Sequence, residues 1–200
     1  MSKTLNDLFS FFRRKKEDGE LVSDKDKIRA EIRLKKRQMT PEMMTAEAEI
    51  VYRKIESLPE FIEARSVLLY WSLADEFPTH DFIEKWYKSK TILLPVVHEG
   101  NLIIRQYTGK DNLIKGKLGI AEPDENSQPM LEFDLVITPG MAFDFKKRRL
   151  GRGKGYYDRF LRHRHVPKWG VGFDFQVLES IPSASFDVKM DKIITASYTI

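Results

Sequence analysis

Asp134-Leu135-Val136-Ile137-Thr138-Pro139-Gly140 is the stretch that decides the fold. Apolar and β-branched residues run without alternation and then stop at proline and glycine. That pattern reads as a short strand buried on both faces. Ser66-Val67-Leu68-Leu69-Tyr70-Trp71 and Thr91-Ile92-Leu93-Leu94-Pro95-Val96-Val97 upstream share it, as do Trp169-Gly170-Val171-Gly172-Phe173 and Lys192-Ile193-Ile194-Thr195 downstream. Leu102 to Tyr107 is a further strand candidate. Helices are predicted over His80–Lys88 and Tyr156–Arg164, and two more precede the first strand. One runs from Lys25 to Arg37 behind a Ser23 or Asp24 cap, with Lys25, Arg29, Arg33 and Arg37 on one face and Ile28 and Ile32 on another. The next opens on Thr40-Pro41-Glu42, a capping residue with proline at the first helical position, and extends to about Leu58. Doubly buried strands alternating with helices predict an α/β fold: a single three-layer α/β/α domain with a Rossmann-like, mostly parallel central sheet. The domain is set at residues 23–200, and residues 1–22 are set apart as an extension.

Composition narrows the chemistry. The 200 residues contain no cysteine, which excludes disulfides, thiolate nucleophiles and iron–sulfur ligation. No apolar run approaches the roughly 20 residues of a membrane span, so a cytoplasmic protein without a membrane partner is expected. The total charge of +4 is unevenly spread. Residues 1–40 hold 12 basic and 7 acidic residues, and residues 145–168 hold 10 basic residues against the single acid Asp158. An acidic remainder carrying two concentrated basic segments suits a localised polyanion site. His80, His98, His163 and His165 show no metal-ligand spacing.

The second basic segment holds the densest signal, Arg149-Leu150-Gly151-Arg152-Gly153-Lys154-Gly155-Tyr156-Tyr157-Asp158. Glycine at every second position strips Cβ atoms from the loop, so backbone N–H groups can approach an anion closely. Arg149, Arg152 and Lys154 add fixed charge, and the helix predicted from Tyr156 points its positive end the same way. The even glycine spacing matches neither a Walker loop nor a dinucleotide fingerprint. The residues alone therefore leave two readings open, a phosphate cradle and a basic loop that contacts RNA. Asp158, a carboxylate directly behind the cationic loop, suits Mg²⁺ carried on phosphate, and Asp187 and Asp191 in the downstream loop offer further carboxylates. Such a site would lie outside the carboxyl ends of the strands, where Ser72–Thr79 and Met141–Gly155 are expected to meet.

Pro139-Gly140-Met141-Ala142-Phe143-Asp144 followed by Arg149 to Asp158 resembles the signature of the 5-formyltetrahydrofolate cyclo-ligase family. Further landmarks stand in the family's order: Lys25 and Arg29, Tyr70 to Thr79, Gly119-Ile120-Ala121-Glu122-Pro123, and Asp187-Val188-Lys189-Met190-Asp191. The similarity covers about Asp24 to Ile194.

The resemblance implies ATP-dependent conversion of 5-formyltetrahydrofolate to 5,10-methenyltetrahydrofolate, releasing ADP and phosphate. The formyl oxygen takes the γ-phosphoryl group, N10 closes the ring on the activated carbon, and phosphate leaves. It implies ATP contacts at Lys25, Arg29, Arg149, Leu150, Gly151, Arg152, Gly153, Lys154, Gly155, Tyr156 and Tyr157. Folate contacts are implied at Trp71, Glu76 and Arg152 through Tyr156, with Arg152, Lys154 and Tyr156 serving catalysis. Mg²⁺ is placed at Asp158 and Asp187, with Asp191 as the competing carboxylate. A monomer acting on reduced folate and ATP, without nucleic acid, is expected; the alternatives are a non-catalytic folate-binding protein and an RNA-binding module. One departure stands out. The family commonly has glycine in the turn that here reads Phe145-Lys146-Lys147-Arg148, and a lysine at positive φ there costs about 1 kcal/mol. The added lysines are an expected contact for polyglutamate tails.

Overall fold

The computed structural model describes residues 24–116, 119–124, 127 and 129–200. The extension expected over residues 1–22 lies outside them. In chain order the elements are helices α1 (24–36), α2 (Pro41–Ser57) and α3 (Pro59–Glu63), strand β1 (Ser66–Leu68), helix α4 (His80–Trp86), and strands β2 (Thr91–His98) and β3 (Asn101–Gln106). Then come β4 (Leu113–Lys115), β5 (Ala121–Pro123), β6 (Leu135–Thr138), β7 (Ala142–Asp144), β8 (Arg149–Leu150), helix α5 (Tyr156–Leu161), and β9 (Lys168–Val171), β10 (Val177–Leu178) and β11 (Lys192–Ile194).

Six strands form the central sheet in the order β11-β9-β6-β1-β2-β3, all parallel except β3, which returns antiparallel along β2. Glu99 and Gly100 make that return, both at positive φ (48° and 78°), as a two-residue hairpin turn requires. The period of two then sorts the core. Val67, Leu69, Ile92, Leu94, Leu135 and Ile137 face a cluster with Val51, Ile55, Phe61 and Phe82 from α2, α3 and α4. Leu68, Leu93 and Val136 face the opposite side, against Leu161 of α5. Burying a side chain of this size stabilises the fold by about 2 kcal/mol, so these two clusters hold the layers together. The expected three-layer, mostly parallel α/β architecture is what the chain adopts.

Among the described residues two smaller sheets lie outside the central one: the β4–β5 hairpin, and β10-β7-β8, in which β7 and β8 are antiparallel. Ile28 and Ile32 of α1 pack on the latter through Met141, Ala142, Leu150 and Ile181. Helix α2 starts where the sequence placed it, the Thr40 hydroxyl accepting the Met43 N–H at 3.3 Å. The strand expected over Ser66–Trp71 is shorter, because beyond Leu69 the chain trades sheet bonds for loop bonds: the Tyr70 carbonyl accepts the Thr79 hydroxyl at 2.5 Å. Helix α5 ends three residues before Arg164, whose N–H returns to the Leu161 carbonyl while its guanidinium stacks on Phe160. Among the described residues no helix is long and apolar enough to cross a membrane.

Candidate active site

Strand order reverses between β1 and β6, so their carboxyl ends open a crevice at the switch point of the sheet. The loop after β1 fills one side. Reciprocal bonds between Ser72 and Thr79, each backbone N–H to the other's hydroxyl at 3.2 Å, close it into a fixed ring. The segment after β6 forms the other side. The buried Gln176 amide donates to the Gly140 and Met141 carbonyls at 2.8 and 3.0 Å, fixing where that segment leaves the sheet.

The segment continues through β7, a tight turn and β8 into the glycine loop. Asp144, wholly buried, holds the turn: one carboxylate oxygen accepts the Lys146 and Arg148 N–H groups, the other the Arg148 guanidinium at 2.6 Å and the Ile181 N–H. Lys147 sits there at φ +61°, the strained conformation expected where the family has glycine. Beyond β8, Gly153 and Gly155 also have positive φ (105° and 65°), and Gly155 stands at the N-cap of α5. With six residues, α5 adds little dipole, so the loop's positive character comes from its side chains and N–H groups.

Most cations of this loop already meet a partner from another element. Arg149, nearly buried, donates to Asp158 at 3.1 Å and reaches the Pro139 carbonyl at 3.4 Å. Arg29 of α1 donates to the Gly151 carbonyl at 2.9 Å, and Lys25 pairs with Asp187 at 2.5 Å. Arg152 bridges the crevice, its Nε donating to Glu76 at 2.9 Å and its Nη2 to Asp75. Burial raises the Asp75 pKa, and the Arg152 bond and charge outweigh it, so the carboxyl titrates below its usual range. Lys154 stays exposed, and Tyr156 lies under the Arg159 guanidinium. Among the described residues two buried polar atoms, Arg149 Nε and the Tyr157 hydroxyl, have no hydrogen-bond partner. Burial pushes the Tyr157 phenol up, as does the Glu76 charge, so it remains a neutral donor.

The two predicted metal positions share a neighbourhood, since the Val188 N–H, next to Asp187, donates to Asp158 at 3.2 Å. Asp191 separates from them. Its carboxylate accepts the Lys168 N–H at 2.8 Å, at the amino end of β9, away from the crevice. Among the described residues no three His, Asp or Glu side chains are grouped to hold a metal unaided. Paired carboxylates beside a loop of N–H donors and cations fit Mg²⁺ that arrives on phosphate oxygens rather than one caged by protein.

Trp71 does not stand free. It stacks on His80 (centroids 4.1 Å apart, 22° between planes) and on Tyr107 (5.6 Å, 29°). His80 bonds the Ser72 carbonyl at 3.0 Å, and the buried Tyr107 hydroxyl donates to Glu84. Sequence reasoning missed both supports, and also Lys36, whose ammonium donates to the Asp75 carbonyl at 2.6 Å. A signal existed for Lys36, which continues the Ile28–Ile32 row of α1: a lysine on an inward face needs a partner.

A family model described as the 5-formyltetrahydrofolate cyclo-ligase family matches residues 22–196. The chain belongs to that family. The 5-formyltetrahydrofolate cyclo-ligase of Escherichia coli is 32% identical over 176 residues, covering 83% of this chain and 97% of its own. That of Haemophilus influenzae is 31% identical over 180 residues, covering 85% and 96%. The solved 5,10-methenyltetrahydrofolate synthetase of Aquifex aeolicus superposes with a TM-score of 0.80 at 30% identity, covering 88% of this chain and 91% of that one. The synthetase of Mycoplasma pneumoniae, at 22% identity and a TM-score of 0.71, shares the fold. As a member of the family the protein is an enzyme of the ligase class, acting in folate one-carbon metabolism.

Proposed function

We propose that the protein converts 5-formyltetrahydrofolate to 5,10-methenyltetrahydrofolate, with ATP hydrolysed to ADP and phosphate, in the crevice between the glycine loop and the loop after β1. The observation that carries this is the Arg152 bridge to Asp75 and Glu76, which brings the two loops face to face. The triphosphate lies along the N–H groups of Gly151 to Gly155, among Lys25, Arg29, Arg149 and Lys154. The pterin lies against Trp71 with Glu76 accepting its N–H donors, and Arg152 stands between the two substrates.

The formyl oxygen attacks the γ-phosphorus, ADP leaves, and a formyl–phosphate ester forms with the positive charge on N5. N10 then adds to that carbon and loses its proton, the carbon–oxygen bond breaks, and phosphate departs. No protein nucleophile takes part. What the chain supplies is alignment of the two substrates and cations set in advance against the charge that develops on the transferring phosphoryl group. Arg149 Nε and the Tyr157 hydroxyl are buried donors beside the glycine loop without a hydrogen-bond partner among the described residues. Asp158 and Asp187 would hold Mg²⁺, which when bound neutralises phosphate charge; their present partners, Arg149 and Lys25, would shift to the phosphates themselves. The enzyme acts as a cytoplasmic monomer on two small molecules, without nucleic acid or membrane.

ADP release measured with and without 5-formyltetrahydrofolate, together with growth of methenyl-folate absorbance, tests the assignment. Both signals should require both substrates. ADP formation indifferent to folate, or folate binding without ADP, rejects it.

A further inference from the structure

Lys36 closes the inward row of α1 that begins with Ile28 and Ile32, yet it carries a charge. Only 9% of it is exposed, and its ammonium donates to the Asp75 carbonyl at 2.6 Å. Burial pulls its pKa below the usual lysine value, as do Arg152 and Arg33, while Asp75 and Glu76 oppose the shift. A buried cation of this kind contributes little to stability compared with an apolar side chain of similar volume, so stability alone does not account for it.

Its neighbours supply a reason. Asp75 and Glu76 belong to a turn fixed from within. The Leu73 N–H donates to one Glu76 carboxylate oxygen at 3.0 Å, and the Glu76 N–H returns to the Leu73 carbonyl at 2.9 Å. The other Glu76 oxygen accepts Arg152, which also holds Asp75. Lys36 and Arg152 thus serve the same pair of acids, and they differ in freedom. Arg152 is exposed, on a loop with Gly151 on one side and Gly153, at φ +105°, on the other. Lys36 is buried at the end of a helix whose Ile32 is packed on the small sheet. One cation can leave and the other stays.

We propose that Lys36 is a positioning residue, holding the Asp75–Glu76 turn against the pterin when Arg152 leaves those carboxylates for the transferring phosphoryl group. This deepens the folate reaction proposed above and rests on it. While Arg152 spans the crevice, both Glu76 oxygens have a donor from the protein. Its departure frees one of them for the pterin N–H groups and takes a counter-charge from two neighbouring carboxylates. Like charges that lose their cation repel and draw in water, which would loosen the turn at the step where it must hold the substrate. The Lys36 ammonium supplies the remaining counter-charge, and its bond to the Asp75 carbonyl fixes the peptide that joins the two acids.

Calorimetric Kd values for 5-formyltetrahydrofolate, taken with and without β,γ-imido-ATP and Mg²⁺, test this in the wild type, Lys36→Met and Lys36→Arg. Without nucleotide Arg152 still holds the turn, and Lys36→Met should weaken folate binding by no more than about threefold. With nucleotide the loss should reach about tenfold or more, the step of one charge-assisted contact. Lys36→Arg, which restores a cation, should recover part of that nucleotide-dependent loss. A lysine that merely supported the fold would weaken folate binding alike in both states, so equal losses overturn the role, as does the absence of any loss with nucleotide. Should Lys36→Met fail to fold, Lys36→Gln, which keeps a donor for the Asp75 carbonyl but no charge, takes its place with the same outcomes expected. A wild type that binds no folate in either state brings down the reaction assignment itself, whereas folate binding with equal losses leaves that assignment standing and removes Lys36 alone.

Discussion

Alanine at Gly170 should unseat the half of the site that carries the glycine loop. The Phe143 ring is fully buried in a slot walled by three glycines. A Cβ on Gly140 would stand 2.4 Å from the ring, one on Gly170 2.3 Å and one on Gly172 3.1 Å. All three distances are below ordinary van der Waals contact. A ring closed in on three sides cannot swing away, so the new methyl must displace either β9 or β7. Overpacking of this kind costs about 1–3 kcal/mol, and contact with several ring atoms puts Gly170→Ala near the upper end. For a chain of this size about 3 kcal/mol lowers Tm by about 6–12 °C. The assay is a thermal melt of Gly170→Ala, Phe143→Leu and the double variant. Shortening the ring costs about 1–2 kcal/mol alone and should relieve the clash, so the double variant should be more stable than the two separate losses predict, by at least about 1 kcal/mol. A Gly170→Ala protein melting within about 2 °C of wild type would refute the slot, as would additive losses in the double variant.

Lys147→Gly should stabilise the protein by about 1 kcal/mol, since glycine accepts φ +61° while the turn's backbone bonds to Asp144 and Met190 remain; a denaturant midpoint that stays put or falls refutes this. Arg152→Ala should lower kcat by about 10²–10³ while moving Tm by no more than about 3 °C, because its ion pairs are partly exposed and contribute little to folding. Wild-type turnover would remove Arg152 from the mechanism. His80 gives a pH signature. Burial lowers its pKa, with Lys110 acting the same way, against the Ser72 carbonyl, Asp81 and Glu84, which raise it. A base whose folded pKa lies below its unfolded value contributes stability in full above about pH 6.5, the unfolded value. That stability is lost as pH falls through the folded pKa. His80→Phe, which keeps a ring against Trp71, should therefore flatten the decline of Tm between pH 6.5 and 5; an unaltered slope refutes it.

Thr40-Pro41, the doubly buried strands and the tri-glycine stretch were legible because each depends on its own residues: a cap, a run of apolar side chains, a set of missing Cβ atoms. Loop lengths and strand ends were not, because they depend on partners far along the chain. Nothing in Ser66 to Trp71 says that Thr79 will take the Tyr70 carbonyl and end the ladder early. The β2–β3 return could have been read from Glu99-Gly100, a two-residue turn between apolar runs. The Phe143 slot could not, since its glycines come from two distant segments. Trp71 and Glu76 were reached only through family resemblance, and their supports, His80 and Arg152, show how strongly each position is prepared by neighbours that composition does not reveal.

The site's two walls are rooted in different sheets, the loop after β1 in the central one and the glycine loop in β10-β7-β8. Their relative position therefore needs something that touches both. Helix α1 does so. Ile28 and Ile32 pack on the small sheet, Arg29 holds the Gly151 carbonyl, Lys36 holds the Asp75 carbonyl, and Lys25 reaches Asp187. A helix is stiff along its axis, with side chains three and four residues apart on one face, so fixing four contacts on α1 fixes the spacing of the parts they touch. On this view α1 holds the two walls of the site at one spacing, which a flexible basic segment of equal charge could not do.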